Sequence, residues 1–277
     1  MKNHLPANVL ISKLLDLEEN CRFLTEENII KQLNDLRPYK LKLMVFVKRR
    51  GEPVYRVVKH NTPPKHKSFI SYPPVKLCKE YGRCNSPYSP KFYGARLMGS
   101  AIKESNLTAG DKFCVSTWRL KSDLPLFCIG YSDINVKTKN LEAKAPQISR
   151  EAWHYSEFIS RQFLKIVESN CEYKYRLSAT ISEQLLSEKF DHTEIQGVIY
   201  PSMANELGSD NMVFTPEVVD ENFKLECVDF CEFHSMAENN PIIEILDFAK
   251  PDTDGGLNWE GKGRPTPKTQ GTAIKFL

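Results

Sequence analysis

A chain of 277 residues, 41% hydrophobic and 26% charged, is long enough for one large domain or a domain with an appendage, and its composition is that of an ordinary globular protein. A formal charge of only +3 creates no global field that points to nucleic acid or an anionic membrane, so an anionic ligand would have to be met by a few local arginines. Eight cysteines (Cys21, Cys78, Cys84, Cys114, Cys128, Cys171, Cys227, Cys231) lie scattered in apolar surroundings, the N-terminus lacks a secretory apolar region, and no apolar run approaches membrane length, which together read as a soluble protein of the reducing cytoplasm.

In chain order, Val9, Leu10, Leu14, Leu15 and Leu17 are spaced for a helix, as are Ile29, Ile30, Leu33 and Leu36. Thr25 followed by Glu26 and Glu27 reads as an N-cap with an acidic first turn, and Pro38 ends the second helix. These helices are expected to form a small N-terminal appendage, residues 1–45. Leu41–Val47 and the β-branched Val54–Val58 read as strands, followed by a long proline-rich loop over residues 60–90. Lys112–Trp118 and Pro125–Tyr131 predict a hairpin across Lys121-Ser122-Asp123. Ser149–Ser169 is the strongest helix, capped by Ser149, with Trp153, Phe158, Ile159, Phe163, Ile166 and Val167 as its expected buried stripe. A helix over 177–189 and strands at Ile195–Tyr200, Asn211–Thr215 and Leu225–Phe233 follow, and Ile242–Phe248 fits either strand or helix. The tail from residue 251 is expected to be mobile, which leaves 46–250 as the main domain. Strands grouped around helices without regular βαβ alternation place the chain in the α+β class, with a mixed or antiparallel core.

The chain carries no Walker-type phosphate loop, no dinucleotide-binding glycine fingerprint and no His-Glu-x-x-His helix. Cys227-x3-Cys231-x2-His234 lacks a second ligand pair nearby, so no metal site is expected. The short basic runs at Lys48–Arg50 and Lys65–Lys67 read as solvated faces rather than a nucleic-acid surface.

The stretch Tyr81–Glu104 stands apart. A Gly-Arg-x-Asn turn, a proline-rich loop, a short apolar run and a helix end place Arg83, Tyr93 and Glu104 at the ends of adjacent short elements. The plain alternative is a surface loop, a core tyrosine and a solvated glutamate.

Tyr55-Arg56-Val57, Gly82-Arg83-Cys84-Asn85, Tyr93, Ala101-x-x-Glu104, Gly197–Ser202 and Asn211-x-Val-Phe214, in this order, resemble the RES domain. The resemblance runs from about Pro53 to about Val219 and matches the arginine, glutamate and serine of that family's name to Arg83, Glu104 and Ser202. It departs at Cys84, where members usually carry an aromatic residue, and at Tyr88-Ser89, where they carry a glycine. The resemblance implies an ADP-ribosyltransferase-like fold and, as in the family's bacterial toxins, cleavage of the nicotinamide–ribose bond of NAD by water or phosphate. It also implies a helix-turn-helix antitoxin as partner.

Residue chemistry suits those roles. A carboxylate stabilises the oxocarbenium character that develops on the ribose, which suits Glu104. A pyrophosphate favours the bidentate, permanently charged guanidinium of Arg83, with Arg56 as second choice. Tyr93 could stack on the cationic nicotinamide ring, and Ser202 could hydrogen-bond its carboxamide or the ribose. Asn85 and Asn211 suit fixing loops around the ligand. The alternatives are an ADP-ribosyltransferase acting on a macromolecular acceptor and a non-catalytic nucleotide-binding or interaction module, and the presence of Arg83, Glu104 and Ser202 together counts against the latter.

Overall fold

The computed structural model describes residues 5–38, 45–131, 149–168, 170–187, 189–190, 193–204, 208–238, 240–262 and 275–276. The expected strand over 41–47 and the tail therefore fall only partly on described residues. The elements in chain order are α1 (Ala7–Asn20), α2 (Glu26–Leu36), β1 (Val45–Lys48), β2 (Pro53–Lys59), β3 (Phe92–Ala95), α3 (Met98–Lys103), β4 (Lys112–Leu120) and β5 (Leu124–Cys128). There follow α4 (Arg150–Leu164), α5 (Arg176–Ser187), β6 (Lys189–Phe190), β7 (Thr193–Glu194), β8 (Gly197–Pro201) and β9 (Asp210–Phe214). Last come α6 (Pro216–Asn222), β10 (Phe223–Ala237), β11 (Asn240–Pro251), β12 (Leu257–Trp259) and β13 (Lys275–Phe276). The expected α+β class holds, with parallel and antiparallel pairing both present.

The chain divides into two compact units that interleave in sequence: Met1–Val47, Pro74–Lys91 and Pro125–Pro201 form one, and Lys48–Pro73, Phe92–Leu124 and Ser202–Leu277 the other. These boundaries differ from the sequence-based divisions at 45/46 and 250/251.

In the first unit the N-terminal helices pack against α4. Leu10, Leu14 and Leu17 of α1 and Ile29 and Leu33 of α2 are buried, Tyr155 of α4 donates to the Leu33 carbonyl (3.2 Å), and Arg161 and Lys165 both reach Glu18 at 2.6 Å. The expected caps form: Thr25 Oγ1 accepts from the Asn28 N–H and Ser149 Oγ from the Ala152 N–H, each at 3.2 Å. Phe158 and Phe163 of the expected stripe of α4 are buried, joined by Ala152, Tyr155 and Gln162. Trp153 lies one position, about 100° of helix rotation, off that stripe and is 52% exposed, and Ile166 lies beyond the helix end at 81%. β5 pairs in parallel with β8, Leu126 opposite Gly197.

The second unit is a sheet in the order β9-β3-β2-β4-β10-β11-β12, antiparallel throughout, with β13 added parallel to β11. β4 is paired along both edges, with β2 and with β10. No edge is left for the hairpin partner expected at Pro125–Tyr131, and β5 pairs elsewhere. Side chains alternate along each strand and opposite residues share a side, so the register defines two faces. On one, α3 packs: Met98 and Ile102 join Phe113, Val115, Cys231, Phe233 and Ile243, with Tyr55 and Val57 against them. On the other, Phe92 meets Trp118 edge-on with ring centroids 5.4 Å apart, and Phe214 and Phe223 complete the cluster. The segment after Pro251, expected mobile, is ordered as far as β12: the Trp259 indole donates to the Pro64 carbonyl (2.8 Å) and the Leu257 N–H to that of Lys65 (2.9 Å). These bonds strap the proline-rich loop before Pro73. Among the described residues no helix is long and apolar enough to cross a membrane.

Candidate active site

The helix α3 is short and lined with small residues, and Gly99, Ser100 and Ala101 are all buried as it lies against the sheet. It ends at Glu104, whose N–H donates to the Ser100 carbonyl (3.0 Å). A carboxylate at a helix C-terminus meets the negative end of the peptide dipoles, so holding it there requires donors from outside the helix. Two arrive. Ser202 Oγ donates to Glu104 Oε1 at 2.5 Å, and Asn211 Nδ2 donates to the same oxygen at 2.8 Å. Hydrogen bonds to a charged acceptor are short and strong, and these two fix one carboxylate oxygen in the half-buried setting of Glu104.

Each donor is placed by backbone. The Ser202 N–H donates to the Ser209 carbonyl (2.8 Å), which draws Ser202 against the start of β9. Asn211 stands opposite Ala95 of β3, Ala95 opposite Tyr55 of β2, and Tyr55 opposite Thr117 of β4. Asn211, Ala95, Tyr55 and Thr117 thus form one row across four strands, on the face that α3 covers. Ala95 is the low point of the row, between a polar amide and a phenol.

Arg56, the neighbour of Tyr55 along β2, projects to the other face. Its Nε donates to the Ser71 carbonyl (2.9 Å), its Nη1 to the Tyr93 carbonyl (2.7 Å), and its guanidinium lies 5.2 Å from the Phe92 ring centroid. Burial pushes this guanidinium down to about 10, which leaves it charged at neutral pH. Arg56 ties the proline-rich loop to β3, whereas Tyr55 shares the carboxylate's face. Tyr93 stands opposite Val213, on the same side as Ala95 and Asn211. Glu104, Ser202, Asn211 and Tyr93 therefore share one face of the second unit, and Arg56 does not.

No protein-family model matches the chain, and no curated protein matches it. The chemistry of the site rests on its own residues.

Arg83 and Asn85 belong to the first unit. The Gly82 N–H donates to the Asn85 carbonyl (2.9 Å) and closes the turn that has Arg83 and Cys84 at its corner. Asn85 Nδ2 donates to the carbonyls of Glu80 and Ser86 at 3.3 Å, so this asparagine fixes the turn. Arg83 donates to the Phe163 carbonyl in the last turn of α4 and lies 5.3 and 5.6 Å from the ring centroids of Tyr175 and Tyr200. Terminal helix carbonyls and aromatic faces both attract a guanidinium, so Arg83 is held in one orientation. Cys84 is fully buried, and its thiol is pushed up to about 12 by desolvation, which makes it an inert core residue. Tyr88 adopts φ 63°, the left-handed region that favours glycine, with its ring exposed. Among the described residues no group of three or more His, Cys, Asp and Glu could hold a metal, and Cys227 and Cys231 are both buried in strand β10.

Tyr55 is the residue of this face that residue chemistry alone passed over. The signal was present: alternation along a strand cannot put Tyr55 and Arg56 on one side.

Proposed function

We propose that the chain is an NAD-consuming enzyme related to the RES domain, with an ADP-ribosyltransferase-like core, that cleaves the nicotinamide–ribose bond. The observation that carries this reading is the double hydrogen bond from Ser202 and Asn211 to one oxygen of Glu104. Three residues that the resemblance singles out, from two distant stretches of chain, meet at the Glu104 carboxylate.

In this reading the C1′–N bond breaks and its electron pair leaves with neutral nicotinamide. Positive charge builds on the ribose, and the Glu104 carboxylate stabilises it. A carboxylate already oriented by two donors has little reorganisation left to make as the charge develops. An oxygen of water or inorganic phosphate then forms the new bond to C1′, giving ADP-ribose plus a proton or ADP-ribose phosphate. Tyr93 is assigned to the nicotinamide ring. A helix-turn-helix antitoxin as partner belongs to the same proposal.

The test is incubation of the purified protein with NAD, with and without phosphate, separating nicotinamide and ADP-ribose products by chromatography. Nicotinamide release that disappears in Glu104→Gln supports the reading, and the second product names the attacking oxygen. Mass added to protein would reassign it to ADP-ribosyl transfer. Absence of both nicotinamide release and NAD binding would overturn it.

A further inference from the structure

A half-buried ion pair stands beside the donors that hold Glu104. Arg96, the residue after β3, donates its N–H to the Asp210 carbonyl (2.9 Å) and its Nη1 to Asp210 Oδ2 (3.4 Å). Asp210 is 1% exposed and Arg96 39%, so the carboxylate is inside and the guanidinium closes over it. The next residue on each strand belongs to the site's row: Ala95 faces Asn211. On the other side of Asp210, the Ser209 carbonyl accepts the N–H of Ser202. Residues 209–211 thus hold Ser202 at one end and Asn211 at the other, with the ion pair between them.

A second pair lies alongside. Lys48, only 2% exposed, reaches Glu52 at 2.9 Å, and its charge is felt together with those of Arg96 and Asp210. Ion pairs with one partner this exposed add little net stability. Their geometry is directional, however, and Asp210 has its backbone carbonyl and its side chain on the same partner.

We infer that Arg96 and Asp210 are positioning residues for Glu104: the pair sets the start of β9 so that Ser202 Oγ and Asn211 Nδ2 converge on one carboxylate oxygen. The catalytic part rests on the reading of Glu104 given above; the positional part does not. Without the pair, Glu104 is no longer held by both donors.

The test is the charge-free double variant Arg96→Met/Asp210→Leu, with Asp210→Asn as the milder companion should the double variant not fold. Two readouts are compared with wild type: hydrogen exchange of the Asn211 side-chain amide by NMR, and kcat and KM for nicotinamide release. Loss of amide protection, with kcat lowered about tenfold to a hundredfold at unchanged KM, is the expected result, since small misplacements of a catalytic group cost rates of that order. Full amide protection with wild-type kcat in a folded variant would overturn the inference. If the wild-type protein releases no nicotinamide, the functional reading fails, and amide protection alone still decides the positional one.

Discussion

Ser202 Oγ and Glu104 Oε1 lie 2.5 Å apart although 98 positions separate the two residues in the chain. The bond joins the end of a one-and-a-half-turn helix to the segment that leads into β9, and Asn211 donates to the same oxygen. A carboxylate at a helix C-terminus gains nothing from its own helix, so its place depends on those two donors.

Glu104→Gln keeps an oxygen where Ser202 and Asn211 can still donate, so the variant should fold with a near wild-type melting temperature. Its nicotinamide release should fall by roughly two to three orders of magnitude, the loss typical of removing one preorganised charge-stabilising group. A folded Glu104→Gln protein that retains the full rate would remove this carboxylate from the mechanism.

Asn211→Asp replaces a donor 2.8 Å from Glu104 Oε1 with a second carboxylate. Two carboxylates at that separation do not both ionise readily, so one of them should titrate well above the ordinary range. The sign follows: a carboxyl raised in the folded state stabilises below its unfolded value, and that contribution is lost as pH rises through the folded one. Relative to wild type, the variant should be least stable in urea at about pH 8 and recover toward about pH 5. An equal deficit at both would refute the coupling.

Arg83→Lys keeps the charge but gives up the planar fork that reaches the Phe163 carbonyl and lies near the rings of Tyr175 and Tyr200. The expected loss is about 2–4 kcal/mol, the sum of one charged hydrogen bond and its ring contacts. Chemical denaturation measures it; an unchanged midpoint would mean that lysine meets the same partners.

Cys84 and Cys114 are buried thiols pushed from 9.0 up to about 12. At neutral pH both should resist alkylation until the protein unfolds. Because the raised value belongs to the folded state, their contribution is complete below pH 9 and declines as pH climbs toward 12. Rapid labelling of both thiols in the native protein at neutral pH would contradict their burial.

Gly94→Ala would drive a Cβ into Val54 Cγ1 and against Phe92, inside the aromatic face of the second unit. Overpacking of this kind costs about 1–3 kcal/mol, read as a drop in melting temperature. Pairing it with Val54→Ala should recover part of the loss.

Local chemistry was legible in the sequence because it acts over a few residues. Thr25 and Ser149 cap the helices they precede, the apolar spacing of α1 and α2 marks their buried sides, and the β-branched run after Pro53 is a strand. The same reading named Glu104, Ser202 and Asn211 one by one, through their resemblance to a family. Pairing was not legible. Alternation marks a strand without naming its neighbour, so Lys112–Trp118 and Pro125–Tyr131 suggested a hairpin where β4 is already paired along both edges. Helix spacing shows that α1 and α2 bury a stripe, but not that α4 receives it in a unit assembled from three stretches of chain. The site itself was decided at this level. Sheet register put Asn211, Ala95 and Tyr55 in one row and sent Arg56 to the opposite face, and a half-buried Arg96–Asp210 pair stands beside the donors of Glu104. A residue's type supplies its chemistry; the direction in which that chemistry points depends on strands that meet only when distant segments fold together.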